Sequence, residues 1–267
     1  MKRDVSAHLE VAISAPTTLE FQIAVARRPG IELDESLVFE VDGRRIQPWE
    51  IAGPHGTRIH RFDVSPGALR VDYRATVFGV AEPDIASDYD LALYRRPSRY
   101  AESDRFHAFA AAEFGAAISD GERAALVSAW VARRLRYAAG VSDHTDGAVD
   151  TMLTGAGVCR DFTHLTVAML RAMKVPARVV AVYAPGCYPM DFHAVVEVWV
   201  DGGWRVFDPT GLAPRSSLVR IATGRDASDT AFLDNHGGEI YVHTLWVNAF
   251  VDGPLPLDDG SASITMG

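Results

Sequence analysis

An α+β fold is what this sequence predicts, and two observations predict it: period-two apolar alternation fills the first 80 residues, and helix-period stretches then give way to new strands near residue 177. Val5, Ala7, Leu9, Val11 and Ile13 alternate with polar or small neighbours, as do Leu19, Phe21, Ile23 and Val25, and again Leu69, Val71, Tyr73, Ala75 and Val77. Alternation over such lengths reads as half-buried strands. Arg28-Pro29-Gly30, Asp42-Gly43, Ala52-Gly53-Pro54 and Ser65-Pro66-Gly67 supply turns between them. The reading is a small antiparallel β domain over residues 1–80 and a second domain over 81–267, entered through a linker-like stretch from Ala81 to Ala101.

Helical signals come next. Ser119-Asp120-Gly121-Glu122 has the Ser-x-x-Glu form of a capping box, and Leu126, Val127, Trp130, Val131 and Leu135 follow on one helical face. Phe106, Phe109, Ala110 and Ala112 suggest a helix before it. Another begins after Gly155-Ala156-Gly157, with Phe162, Leu165, Thr166, Met169, Leu170 and Met173 as its buried face, and stops at Val175-Pro176. Strands are expected at Ala177–Tyr183, His193–Val200, Trp204–Asp208 and Ile240–Phe250, with Gly202-Gly203 as a hairpin loop. The last dozen residues, rich in Gly, Pro, Asp and Ser, are expected to fray.

With 48% hydrophobic and 23% charged residues, the chain has the balance of a soluble globular protein. No apolar run is long enough to span a bilayer, and Met1-Lys2-Arg3-Asp4 leads into alternating residues and not an apolar secretory core. A cytoplasmic protein without a membrane partner is the expectation. The formal charge of −9 argues against a nucleic-acid partner, which would call for a basic face. Two cysteines do not make a disulfide scaffold in a chain of 267 residues.

One of those cysteines stands where chemistry is easy. Cys159 starts the helix after two glycines, where free amides and the helix dipole favour a thiolate and could hold an oxyanion. A nucleophilic thiol needs a base, and the base an orienting partner. His193 opens one strand and Asp208 closes the next strand of the same hairpin, so antiparallel pairing brings them together. Each residue alone has a plainer reading: a packed cysteine, a surface histidine, a turn aspartate. Jointly they read as a triad. Cys187 lies in a Pro-Gly-Cys turn and reads as an unremarkable thiol. His164 points away from Cys159 by helical geometry, Asp161 caps the helix, and Arg160 and Arg225 read as salt-bridge cations. Asp191 is a second candidate to orient His193. The cysteines and histidines lack the close ligand pairs of a zinc site, so neither metal nor organic cofactor is implied.

The segments around these residues resemble the bacterial transglutaminase-like cysteine peptidases. Gly155-Ala156-Gly157-Val158-Cys159-Arg160-Asp161-Phe162-Thr163-His164-Leu165 is similar to their nucleophile segment, and Val175-Pro176-Ala177-Arg178-Val179-Val180 to the strand that follows it. Asp191-Phe192-His193-Ala194 and Trp204-Arg205-Val206-Phe207-Asp208-Pro209-Thr210 resemble the histidine and aspartate segments, and Arg220–Ala227 a segment beyond them. The likeness covers roughly residues 90–235. It implies a papain-like, transglutaminase-like catalytic core behind the β domain, with Cys159, His193 and Asp208 as nucleophile, base and orienting acid. It implies acyl transfer through a thioester on a peptide or protein substrate. Hydrolysis is the expected outcome, with amine transfer or a non-catalytic binding module as alternatives. Where many relatives have His-Ala-Trp, this chain has His193-Ala194-Val195, which is expected to open a wall beside the site. Trp199, Trp204 and Trp246 are candidates to rebuild that wall, and Tyr137 is a weak candidate for an oxyanion donor.

Overall fold

The computed structural model describes all 267 residues. Its elements, in chain order, are β1 (Lys2–Ile13), β2 (Thr17–Phe21), β3 (Ile31–Val41), β4 (Arg44–Ile46), β5 (Trp49–Ala52), β6 (Arg58–Val64), β7 (Gly67–Gly79), α1 (Asp88–Leu93), α2 (His107–Phe114), α3 (Asp120–Arg134), β8 (Arg136–Tyr137), α4 (Ala148–Thr154), β9 (Ala156–Gly157), α5 (Cys159–Ala172), β10 (Ala177–Tyr183), β11 (Phe192–Val200), β12 (Gly203–Phe207), β13 (Val219–Gly224), α6 (Ala227–Thr230), β14 (Leu233–His236) and β15 (Ile240–Val251). No helix is long and apolar enough to cross a membrane.

The alternating segments form a β-sandwich. One antiparallel sheet has the order β15-β1-β7-β3-β4, and the other β14-β2-β6-β5. The alternation decides which side chains go inward: Val5, Ala7, Leu9, Val11 and Ile13 of β1 are at most 4% exposed. They meet Leu69, Val71 and Val77 of β7 and Phe21, Phe39 and Phe62, whose rings lie 5.2–6.0 Å apart.

The expected boundary at residue 80 does not describe the sheets. β14 pairs with β2, and β15 pairs with β1 along its whole length, so residues 233–251 complete the N-terminal sandwich and leave the catalytic core at about residue 230. The 81–101 stretch is also more than a linker. It contains α1, capped by Ser87 and Asp90, and it delivers Asp84 to an ionic layer between sandwich and core.

That core is a sheet of order β12-β11-β10-β13 with α5 packed across β10 and β11. β10 occupies the residues expected of it. α5 has no solvent face: residues 161–172 are all buried, because α2, α3 and α4 enclose the side that the sheet does not. The expected one-faced apolar stripe is therefore too narrow. Most polar members of α5 find partners, His164 Nδ1 being the exception. Arg171 donates to the carbonyls of Ala177, Arg225 and Arg96, and burial pushes its guanidinium down to about 10.

Three further details differ from expectation. The β11–β12 turn is Asp201-Gly202, both at positive φ (49° and 72°), one residue earlier than Gly202-Gly203. A two-residue turn of this hand needs both residues there, and Asp tolerates it. The tail does not fray: Val206 donates to the Ile264 carbonyl, Met266 is 1% exposed, and Asp258 pairs with Arg215 at 2.8 Å. Third, the ionic layer was unforeseen. Glu197 of β11 bonds Arg178 (2.6 Å) and Arg220 (2.5 Å), while Asp84 bridges Arg178, Arg220 and Arg28. The Arg178 guanidinium also lies 4.0 Å above the Trp204 ring.

Candidate active site

Cys159 is the first residue of α5, and the turn ahead of it is built by glycines. Gly155 ends α4 at φ 67°. Gly157 lets Asp161 reach back to the Val158 N–H at 2.7 Å, since a Cβ at Gly157 would sit 2.5 Å from that carboxylate oxygen. Asp161 is thus the expected cap, held in turn by Arg160, which also donates to Ser142 and to the Asp143 carbonyl. α5 is fixed to the sheet beside the site by Thr163 Oγ1, which donates to the Ala194 carbonyl at 3.1 Å.

The hairpin brings His193 and Asp208 together. β11 pairs with β12 from Val196–Phe207 to the turn, so His193 and Asp208 flank the open end of that ladder. His193 Nε2 and Asp208 Oδ2 are 2.8 Å apart, and each side chain is 1% exposed. Asp208 Oδ1 accepts from the Thr210 N–H (2.9 Å) and hydroxyl (2.6 Å), so the carboxylate is saturated. Thr210 had no assigned role, although Asp-Pro-Thr has the sequence form of an Asx turn, the signal that could have found it.

With Nε2 taken, the remaining ring nitrogen of His193 is left for the Cys159 side, where the sulfur lies near enough to add to the forces that raise the imidazole; in this structure the thiol points at the Phe192 carbonyl at 4.0 Å. Burial works to neutralise the imidazole, but the charge and hydrogen bond of Asp208 outweigh it, so His193 holds its proton well above the ordinary histidine range. Asp208 moves the opposite way. Burial would raise it, but His193 and the two Thr210 bonds hold it below the usual carboxylate range. The structure thus brings together Cys159, His193 and Asp208 as a half-buried thiol, a protonatable imidazole and an anchored carboxylate.

Other candidates fall elsewhere. Asp191 is exposed, bonds only its own neighbour's Phe192 N–H, and does not orient His193. His164 is fully buried and stacked 5.5 Å from Tyr100; its Nε2 accepts from the Ala227 N–H. Arg225 pairs with Asp229. Trp130 packs against Phe109 and Phe114. Val195 is not a wall of the site: it is fully buried with Val180, Val182 and Leu218. Trp199 and Trp204 meet edge to face at the far end of the hairpin, and Trp246 lies on the outer face of the sandwich. Tyr137, by contrast, is at the site. The short parallel pair β8–β9 sets it opposite Gly157, two residues before Cys159. Burial, then the nearby Cys159 sulfur, pushes its phenol well above the usual range, so it stays a hydrogen-bond donor. A groove of about 780 Å³ between α3, residues 207–215 and the tail reaches Asp208 but not Cys159.

The two thiols differ in setting. Cys187 is 6% exposed in an apolar cluster, and burial pushes its thiol up. Limited iodoacetamide treatment near neutral pH is expected to label Cys159 first, read by peptide mass. Faster labelling of Cys187 would remove Cys159 as nucleophile.

Residues 108–209 match the model of the transglutaminase-like superfamily. "Uncharacterized protein ML0607" of Mycobacterium leprae (strain TN) is 32% identical over 123 residues, 41% of this chain and 43% of that protein, so the chain spans less than half of that relative's length. The crystal structure of a "Putative Cysteine Protease" from Cytophaga hutchinsonii is similar over 98% of this chain and 96% of that one, at 29% identity and a TM-score of 0.88. The periplasmic domain of TgpA from Pseudomonas aeruginosa aligns over 76% of this chain and 86% of that one, at 19% identity and a TM-score of 0.42.

Proposed function

We propose that this chain, which carries a transglutaminase-like core, is a cysteine-dependent acyl-transfer enzyme that hydrolyses an amide or peptide bond. The observation that carries this reading is the buried His193–Asp208 pair, closed by Thr210 and set beside Cys159 at the start of α5. In the proposed cycle the Cys159 sulfur attacks the carbonyl carbon and forms the C–S bond. The carbonyl oxygen becomes an oxyanion, taken by the Cys159 N–H and the Tyr137 hydroxyl. His193 gives its proton to the leaving nitrogen as the C–N bond breaks, leaving a thioester and a free amine. Water then attacks the thioester, His193 takes its proton, and the C–S bond breaks to give the carboxylic acid, the Cys159 thiolate and the protonated His193 with which the cycle began. Asp208 stays ionised and holds the imidazole through both steps.

Water as the second nucleophile is supported by the surroundings of Cys159. Transfer to an amine calls for an apolar wall that keeps water from the thioester. The tryptophans that could have made one lie elsewhere: Trp199 and Trp204 at the hairpin turn, Trp246 on the sandwich. Val195 lends no support to an opened wall, because it is buried in the core. The test is a partition measurement. An acyl donor is supplied with rising amounts of a primary amine, and both products are followed. Acid is expected to remain the main product; dominance of the new amide would replace hydrolysis with transamidation.

A further inference from the structure

We propose that β15 is a docking edge for a second copy of this chain, and that two copies join antiparallel through it into one continuous sheet. The sheet edges of this protein are treated unequally. β4 ends one side of the first sheet with three residues, two of them Arg44 and Arg45. β5 and β14, the edges of the second sheet, have four residues each. In the core sheet, β12 is capped by the tail through Val206–Ile264, and β13 by the sandwich through Ala26–Arg220. Short, charged or covered edges are how a protein avoids unwanted strand addition.

β15 has none of these defences. It is 12 residues long, Ile-Tyr-Val-His-Thr-Leu-Trp-Val-Asn-Ala-Phe-Val, without Lys, Arg, Asp, Glu, Pro or Gly. One side pairs with β1; the backbone groups of its other side meet no partner in the chain. Its inner face is also unfinished. Ile240, Val242 and Leu245 are only half-buried, although their direct partners on β1, Ile13, Val11 and Leu9, are 4%, 2% and 0% exposed. The sandwich core is open along the first half of β15, while Val247 and Ala249 close its second half at 4% and 2% exposure. On the outer face a bulge after Glu10 shifts the alternation, so that Tyr241, Trp246 and Phe250 all project outward at 65%, 67% and 54% exposure. One added strand would satisfy the backbone, close over the inner apolar row and flank the outer rings.

Charge argues for a second copy as the occupant. The chain carries −9 overall, so most of its surface repels another copy. β15 carries no formal charge, so antiparallel self-pairing about a two-fold axis brings no like charges together. A two-fold normal to the sheet sets residues of the same face opposite each other, so the axis passes beside Trp246, which faces Trp246 of the other copy, and the two five-stranded sheets become one.

The test is mass in solution by light scattering across a dilution series, with hydrogen exchange on the same samples. The wild type, 29.0 kDa as one chain, is expected to show a doubled mass that falls on dilution, with slow exchange of the outward β15 amides only in the heavy form. Trp246→Lys changes an exposed side chain and sets two like charges beside the axis, so it is expected to give a single-chain mass with unchanged circular dichroism. Arg45→Glu on β4 is expected to leave the doubled mass intact. A single-chain wild type at every concentration overturns the proposal, as does a doubled mass that survives Trp246→Lys. Fast exchange along β15 in a doubled species overturns it too, and this reading stands even where the variant fails to fold.

Discussion

Cys159→Ala and His193→Ala are each expected to lower turnover of an amide substrate by roughly 10³-fold or more, to a shared floor. The two act as one unit in the proposed cycle: without the sulfur there is no thioester, and without the imidazole the leaving nitrogen is not protonated. The double variant should therefore be no worse than either single one. Asp208→Ala should fall short of that floor, because the aspartate orients and stabilises an imidazole that can still move a proton. Its loss also leaves His193, 1% exposed, without the charge that keeps it protonated, so the pH profile of this variant should shift toward acid. Rates are compared among variants shown to be folded. Wild-type turnover in His193→Ala would end the mechanism.

Glu197→Gln is expected to destabilise the fold by about 3–5 kcal/mol. Glu197 is 1% exposed and is the shared partner of Arg178 and Arg220, themselves 0% and 3% exposed. Removing its charge leaves two buried guanidinium groups to Asp84 alone. Burial would raise the Glu197 and Asp84 carboxyls, but the arginines hold both below the usual range. Groups depressed in the fold contribute stability above their unfolded values, about 4, and that contribution is lost as pH falls through the folded values. The share of stability that Glu197 and Asp84 supply should thus be constant near neutrality and weaken below about pH 4, as read by the difference in denaturant unfolding between wild type and variant. The decline should be shallower in Glu197→Gln. A variant within about 1 kcal/mol of wild type would show that the layer is replaceable, the outcome known for some buried ion pairs.

Much of the site was legible because its chemistry is local in the sequence. A cysteine after two glycines, a histidine at a strand start and an aspartate at the end of the next strand needed only helix and hairpin geometry to be brought together. β1, β7 and β10 were legible for the same reason, since a half-buried or buried strand carries its pattern in its own residues. What was missed depends on partners distant along the chain. Nothing in Ile240–Phe250 says that its neighbour is β1 and not β13. Asp84 looks like any loop aspartate until Arg28, Arg178 and Arg220 surround it. Tyr137 is placed by a two-residue pairing with β9, too short to leave a pattern. Val195 misled for the opposite reason: a difference from a motif was given a role at the surface, and the residue is in the core.

The pairing of β1 with β15 also governs the order in which the protein can be made. β1 is made before its sheet neighbours, and the neighbour on one side follows more than two hundred residues later. Through most of synthesis the sandwich is a four-strand sheet facing a three-strand one, with Val5, Ala7 and Leu9 on what is then an exposed edge. Non-local pairings of this kind form slowly, because a long loop must close before any contact rewards it. The sheet of β10 to β13 and the helix α5 across it pair within one span, so they can form while the sandwich waits, although β12 still lacks the tail that covers it. A chain stopped before residue 233 therefore leaves two elements waiting at once: β1 as an apolar edge, and β12 without the strand-like cover and the Asp258 partner of Arg215 that come later.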